Sequence, residues 1–528
     1  MLLNERCRLA RSSIVLTGIL FCACWNLVGA DQVDQGDETE TWKMIEFNTD
    51  TTGDYAAVYK ENCAVCHGEQ LEGTAQGTPL NGRLKYGDSV EVFENNIANG
   101  FAAKGMPAWS KTLSDVQIKN IALYISETRL GMNYGDFKYD AEFVVPKGVI
   151  KTEKNAFEFE TVIDGIDALP FSIEPLPDGR VLLTEKKLGL SIVSAEGKQS
   201  TYIEGTPPVY ADSYVFAVKQ EWGNGWYFDV ALHPNYEQNG WIYLQYGDRC
   251  SDCNEASRRF KLPVSMNTLI RGRIKDGRWI DEEMIWKNAL EFYAPGPDLG
   301  AGGRITFDDE GHVFVSVGMK MNNHEGIQDL RTPWGKIHRL HDDGRVPVDN
   351  PFIKNPDAIK TIWTYGHRSP QGLEWRHASA ELWGTEHGPR GGDEINLLVA
   401  GKNYGWPLTS KGMNYDGSSV EYGKKLGVEF DLKDIEQPVV DMSPSPAISS
   451  FVFYDGDQFP QWRGDLLVGS LKAQSLFRVE LEGSQAVHTE TLISGLARIR
   501  DIEVGFDGNV YLLLENNAGG RIVRMVPK

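Results

Sequence analysis

Beyond residue 30 this 528-residue chain has no apolar run long enough to cross a bilayer, and it is short of positive charge. Lys and Arg number 53 against 74 Asp and Glu, a formal net charge of −21. A chain that must neutralise phosphates needs a basic surface, so nucleic acid is excluded as a partner class. The same deficit argues against an anionic membrane surface. Cysteine is scarce as well, with seven in the whole chain. Hydrophobic residues at 41% and charged residues at 24% are ordinary for globular proteins and exclude wholesale disorder. What the chain has in plenty is Gly (55), Trp (14) and Tyr (20), a composition that leans toward turn-rich β structure.

The one long apolar stretch is at the start. Arg6, Arg8 and Arg11 precede a run from Ile14 to Trp25, and Val28-Gly29-Ala30 offers a small-residue cleavage site before Asp31. Residues 1–30 therefore read as an export signal rather than a membrane anchor, since the run is short for a span. Loss of three Arg and one Glu takes the net charge from −21 to −23. The expected destination is the periplasm or the exterior.

Removal of that segment also takes Cys7, Cys22 and Cys24, leaving two C-x-x-C pairs. Cys63-Ala64-Val65-Cys66-His67 has the spacing of covalent c-type haem attachment, with two thiols for the vinyl groups and an adjacent imidazole for the iron. Met106, in the Pro-containing stretch Lys104 to Trp109, is the expected second axial ligand; a thioether there would raise the haem potential. Residues 55–62 read as a short amphipathic helix, and Leu113 to Thr128 as a closing helix with Ser114 as N-cap. Residues 45–132 taken together resemble a class I cytochrome c. The second pair, Cys250 and Cys253, is followed by Asn254 rather than His, and a local disulfide is its expected state in an exported protein.

Residues 133–157 carry turn signals and no sustained helical period, and read as a linker. From 158 to 528 short β-rich runs recur after Asp-Gly or Glu-Gly turns, as at Asp178-Gly179, Glu310-Gly311 and Asp507-Gly508. Some 370 residues of such texture favour a β-propeller over a sandwich. Several of its loops gather cations and amides: Gly366-His367-Arg368-Ser369-Pro370-Gln371-Gly372, Glu386 to Glu394, and Lys472, Arg498 and Arg500. In so acidic a chain, grouped cations suit a ligand bearing carboxylates.

These clusters, with Leu169 to Ile173, Asp229 to Pro234 and Asp342 to Phe352, resemble the soluble pyrroloquinoline quinone (PQQ) dehydrogenases of the glucose/sorbosone, or aldose sugar dehydrogenase, family. The resemblance runs from about Asp164 to the end and implies an all-β six-bladed β-propeller behind a small all-α cytochrome c domain. It implies that Lys472, Arg498 and Arg500 pair with the quinone's carboxylates. Arg368 and Gln371 would lie against its ring, and the carbonyls of Gly388 and Pro389 would hold a Ca²⁺. The implied activity is oxidation of a sugar or alcohol hydroxyl, with electrons leaving through the covalent haem to a soluble or membrane-bound acceptor.

One departure stands out. The family carries its general-base His four residues before an Arg, and here Gly300-Ala301-Gly302-Gly303-Arg304 fills that stretch, so the base position is Gly300. Ile305 breaks any reading of these glycines as a dinucleotide loop. Asp298 and His324 are the replacement candidates. Asn224 and Ser369 are milder changes, where the family has Gln and the sugar oxidisers often have Asn. A competing expectation is that the propeller has become a binding module, with the cytochrome as the sole redox unit.

Overall fold

Among the described residues the strand-turn texture resolves into six antiparallel sheets of three to five strands and one two-stranded sheet, Tyr214–Val215 with Glu221–Trp222. In the computed structural model, which describes residues 52–133, 144–212, 214–215, 221–320 and 324–528, each turn named above leads into a buried strand. These strands are Val181–Glu185, His312–Val317 and Val510–Glu515. Gly311 shows why glycine stands in such turns: its φ of +81° is a conformation that a Cβ penalises. The export signal lies outside the described residues.

The innermost strands of the six sheets are Pro170–Pro175, Tyr227–Leu232, Gly302–Phe307, Pro370–Arg376, Ile448–Phe453 and Arg498–Val504. Each neighbours the next, and the last neighbours the first, which closes a six-bladed β-propeller. Closure is made by pairing the two ends of the chain within one blade. Ala156–Ile166 runs antiparallel to Gly520–Pro527, with Phe157 opposite Pro527 and Ile166 opposite Gly520. This sheet begins inside the stretch expected to be a linker: Ile150–Lys151 adds a further short strand to it. Phe157 is fully buried among Tyr454, Trp462 and Leu512, so burial of apolar side chains draws the segment into the blade.

The N-terminal unit is helical, with Thr52–Asn62, Ala64–His67, Val90–Asn99 and Asp115–Arg129. Ser114 caps the last helix in a reciprocal capping box with Gln117. Ile118, Ile121, Ala122 and Ile125 recur at helical spacing and bury against Tyr59, Leu71, Phe93 and Ile97. Among the described residues no helix is long and apolar enough to cross a membrane.

Candidate active site

Arg304, buried on the inner strand Gly302–Phe307, reaches across to residues of three other inner strands. Its Nη1 donates to Asp501 Oδ1 at 2.7 Å and to Asp229 Oδ1 at 3.3 Å, its Nε to the carbonyl of Gln371 at 2.7 Å, and its Nη2 to that of Arg500 at 3.1 Å. One buried guanidinium thus ties four blades together. Beyond it, toward the strand ends, lies a cavity of about 580 Å³ lined by Glu174, Asp229, His233, Glu374 and Glu503. Toward the strand starts lie the cationic loops.

Arg498 and Arg500 grip the two oxygens of one carboxylate. Arg498 Nε stands 2.9 Å from Glu515 Oε1, and Arg500 Nε stands 2.7 Å from Oε2. Lys186 Nζ lies 3.6 Å from the same Oε2. All four residues are buried. Burial opposes the charge on Glu515, yet Arg500, Lys186 and Arg498 hold its carboxyl well below the usual range. Burial, and then Arg500, pull Lys186 down to about 7. Among these four groups positive charge exceeds negative, which in a buried setting calls for an anionic ligand. Neither Lys186 nor Glu515 carries a motif, and neither could be picked from the sequence.

His387 links this group to the Gly366 loop. Burial, then the charges of Arg368, Arg500 and Arg498, push its imidazole down to about 3, so it stays neutral, and its buried Nε2 has no hydrogen-bond partner among the described residues. Arg368 is held by its backbone N–H on Glu386 Oε2 at 2.8 Å and by Nη1 on the carbonyl of His387 at 3.2 Å. Its buried Nε has no partner either. Gln371 is buried and donates to Ser369 Oγ at 2.9 Å. The structure therefore gathers Arg368, Arg498 and Arg500 around His387. Lys472 lies beside the next loop, where burial lowers its ammonium while the charges of Glu127 and Asp393 raise it.

That loop is pinned by Asp393, whose Oδ1 accepts from Gly388 N at 3.0 Å and Oδ2 from Ile448 N at 3.0 Å. Gly388 and Pro389 are buried, and their carbonyls accept no hydrogen bond from any described residue. Unpartnered buried carbonyls are hard oxygen donors, so the pair fits Ca²⁺. Among the described residues no group of three or more His, Cys, Asp or Glu side chains is placed to hold a metal, which leaves backbone oxygens as the fitting donors here.

Gly300 ends the short turn Asp298–Gly300 that precedes its blade's inner strand. Asp298 is no base. Its Oδ1 takes Lys320 Nζ and Ser265 Oγ, and its Oδ2 takes the backbone N–H groups of Gly225 and Trp226 at 2.7 and 3.1 Å. Every acceptor site of the carboxylate is used, so it anchors the turn and has nothing left for a substrate proton. His324 is differently placed. Its ring stacks on Tyr422 with centroids 4.6 Å apart and lies 5.7 Å from Trp406, on which Arg368 also rests. Its buried Nδ1 has no hydrogen-bond partner among the described residues. Burial, then Arg368 and Lys425, lower it to about 4, which keeps it neutral at pH 7. Asn224 is buried and donates to the carbonyl of Pro263 at 2.9 Å.

In the helical unit Cys63 and Cys66 lie on one turn and are not joined in a disulfide. His67 Nδ1 lies 2.8 Å from the carbonyl of Thr78, an acceptor only, so Nδ1 carries the proton and Nε2 is left for a metal. Met106 is pinned by reciprocal backbone bonds with Phe101 at 2.9 and 3.3 Å. This donor set fits a covalent haem. Cys250 and Cys253 form a disulfide.

A family model described as Glucose / Sorbosone dehydrogenase matches residues 167–524. The chain belongs to the glucose/sorbosone dehydrogenase family. A second model, Cytochrome C oxidase, cbb3-type, subunit III, matches residues 51–125. Aldose sugar dehydrogenase YliI of Escherichia coli is 34% identical over 371 residues, covering 70% of this chain and 92% of that protein. Quinoprotein glucose dehydrogenase B of Acinetobacter calcoaceticus is 24% identical over 455 residues, covering 71% and 89%. The crystal structure of the soluble aldose sugar dehydrogenase from Escherichia coli superposes with a TM-score of 0.59 at 32% identity, covering 70% of this chain and all of that one. The N-terminal unit matches Cbb3-type cytochrome c oxidase subunit CcoP of Azospirillum brasilense at 36% identity over 111 residues, 19% of this chain and 36% of that protein. The chain is thus a sugar dehydrogenase-like propeller fused to a cytochrome c domain, an arrangement suited to oxidation coupled to electron transfer.

Proposed function

We propose that the protein is an exported quinohaemoprotein that oxidises a sugar- or alcohol-type hydroxyl at the cationic end of the propeller and passes the electrons to its own haem c. The observation that carries this reading is the buried set of Lys186, Arg498 and Arg500 around a single carboxylate, with Arg368 and neutral His387 beside it. Such a set suits the carboxylates of PQQ, and the family's quinoprotein and aldose dehydrogenase members point the same way. Bound there against Ca²⁺ on the Gly388 and Pro389 carbonyls, the quinone would supply a two-electron hydride acceptor, and the haem on Cys63, Cys66, His67 and Met106 a one-electron exit.

The residues themselves hold and orient. Arg498, Arg500, Lys186 and Lys472 bind carboxylates, while Arg368 and Gln371 fix the plane of the ligand. The base we assign in place of the family histidine is His324: its neutral imidazole, whose Nδ1 has no hydrogen-bond partner among the described residues, would accept the substrate hydroxyl proton, with the rings of Tyr422 and Trp406 packed beside it. What supports His324 over Asp298 is that its imidazole is neutral and that the Asp298 carboxylate is already fully hydrogen-bonded.

The test is product analysis. The haem-loaded protein with PQQ, Ca²⁺ and an artificial acceptor is offered a panel of aldoses and alcohols. A product two hydrogens lighter than its substrate supports the enzyme. PQQ binding without any such product would favour the binding-module alternative, which Gly300 keeps in play.

A further inference from the structure

The cytochrome unit and the propeller meet on the loop assigned to the cofactor's cation. The helix Asp115–Arg129 lays Asn120, Leu123 and Glu127 against propeller residues 390–391 and 417, and Arg390 is the centre of the contact. Its Nε donates to Glu127 Oε1 at 3.1 Å, its Nη2 to Oε2 at 2.8 Å and its Nη1 to Asn120 Oδ1 at 2.9 Å. The guanidinium also lies 4.2 Å from the centre of the Tyr55 ring. Asn120 Nδ2 donates in turn to the carbonyl of Gly417 at 2.9 Å. Arg390 is 5% exposed and Glu127 1%.

Two glycines let the surfaces close. A Cβ at Gly391 would lie 2.9 Å from Leu123 Cδ2, and one at Gly417 would fall on the Tyr55 hydroxyl. Met413, hydrogen-bonded through its backbone to Arg390 at 2.8 and 2.9 Å, is buried in the cytochrome's own core. Polar and apolar contacts therefore converge on the same few residues.

Position along the chain gives this contact a meaning beyond docking. Arg390 directly follows Gly388 and Pro389, and the charge of Glu127 also bears on Lys472. A carboxylate of the cytochrome unit thus pairs with a cation that borders the cofactor loop. A buried bidentate pair loses solvation on both sides, and removing one partner leaves the other stranded, so the pair is sensitive to substitution.

We propose that Arg390 and Glu127 form a latch that holds the cytochrome on the cofactor loop, so that electrons cross inside the chain at this interface. The direction of flow rests on the proposed function; the latch itself does not. Oxidation of one hydroxyl releases two electrons and two protons. Each crossing reduces one ferric haem to ferrous, so an external one-electron acceptor must reoxidise the haem between the two crossings.

The test uses the full-length, haem-loaded protein with Glu127→Gln and, as a second and milder change, Arg390→Lys, which keeps the charge and loses the fork. Amide exchange in residues 115–129 should quicken by at least ~10-fold in both variants. When the protein is loaded with Ca²⁺ and chemically pre-reduced PQQ, haem reduction should slow by at least ~10-fold, because the tether alone supplies a lower effective concentration than the latch. Reduction of a small dye in the Glu127→Gln protein should stay within about twofold of the parent. Unchanged exchange in both variants would overturn the latch. Faster exchange with haem reduction still within about twofold would overturn its role in electron flow, as would equal loss of dye and haem reduction. If the parent's haem is not reduced by pre-reduced PQQ, the proposed function fails, while the exchange result still decides the latch.

Discussion

Gly300 looks onto Met319: a Cβ added at 300 would lie 3.1 Å from the Met319 carbonyl oxygen and 3.5 Å from its Cγ. Where the family resemblance calls for an imidazole, this chain presents a small gap against a thioether side chain. The side-chain contact is ordinary, but the carbonyl contact is tight, so even a Cβ at 300 requires the Met319 backbone to give by a few tenths of an ångström. The backbone at 300 is not in the left-handed region.

If His324 has taken over the proton, its loss should be felt in turnover. His324→Gln is expected to lower kcat by ~10²–10⁴-fold while leaving PQQ affinity close to the parent value. Adding Gly300→His to that variant should restore part of the rate and move the alkaline-favoured limb of the pH profile. An unaltered kcat in His324→Gln removes His324 as base.

Lys186 separates binding from stability. Its folded-state value of about 7 lies below that of an unfolded lysine, so between roughly pH 7 and 10 the unfolded chain binds more protons. Its contribution therefore makes stability rise with pH across that window. Lys186→Met should flatten part of the rise, leave the melting temperature at pH 7 no lower, and weaken PQQ binding by ~10-fold or more. Calorimetric titration and melting curves at pH 7 and 9 check this; unchanged PQQ affinity would take Lys186 out of the site.

At the other mouth of the channel the sign is reversed. Burial first, and then neighbouring carboxylates, raise Glu174, Glu374 and Glu503 well above the usual range, and burial raises Asp229 to about 6. The folded chain thus holds protons that the unfolded chain has released above about pH 4.5, and stability falls as pH rises through the raised values. Glu374→Gln should raise the melting temperature at pH 8 by about 3 °C more than at pH 5. An equal change at both pH values would show that no proton is bound there.

The haem ligand is tested by potential. Met106→Ala should lower the haem midpoint on the order of 0.1 V in a spectroelectrochemical titration, since the thioether favours the reduced iron. An unchanged midpoint would exclude Met106 as the ligand.

Local chemistry was legible in the sequence where a spacing rule carries it. The Cys63-to-His67 run needs only one turn of chain, and the Asp-Gly turns mark strands because of backbone geometry at single residues. The Ser114 cap was visible for the same reason, and the helix it starts differs from expectation by two residues at one end and one at the other. What lay hidden depends on contacts far apart in the chain. Glu515 gains its role only when the blades bring Lys186 and Arg500 to it. Asp298 looked available because nothing near it in sequence hints at Lys320 and the Gly225 backbone. Phe157 looked like linker because its partner, Pro527, is at the other end of the chain. Arg390 and Glu127, 263 residues apart, carry no mutual signal at all.

The central claim is that electrons from a hydroxyl substrate reach the covalent haem by way of the propeller's cationic site. The most direct measurement follows the haem absorbance of the purified protein after a sugar or alcohol is added, with and without PQQ and Ca²⁺. The account predicts that the haem is reduced by at least one substrate only when PQQ is present, and that Arg498→Ala with Arg500→Ala abolishes the reduction. A haem that stays oxidised with every substrate, in protein shown to bind PQQ and to accept electrons from its reduced form, would contradict it.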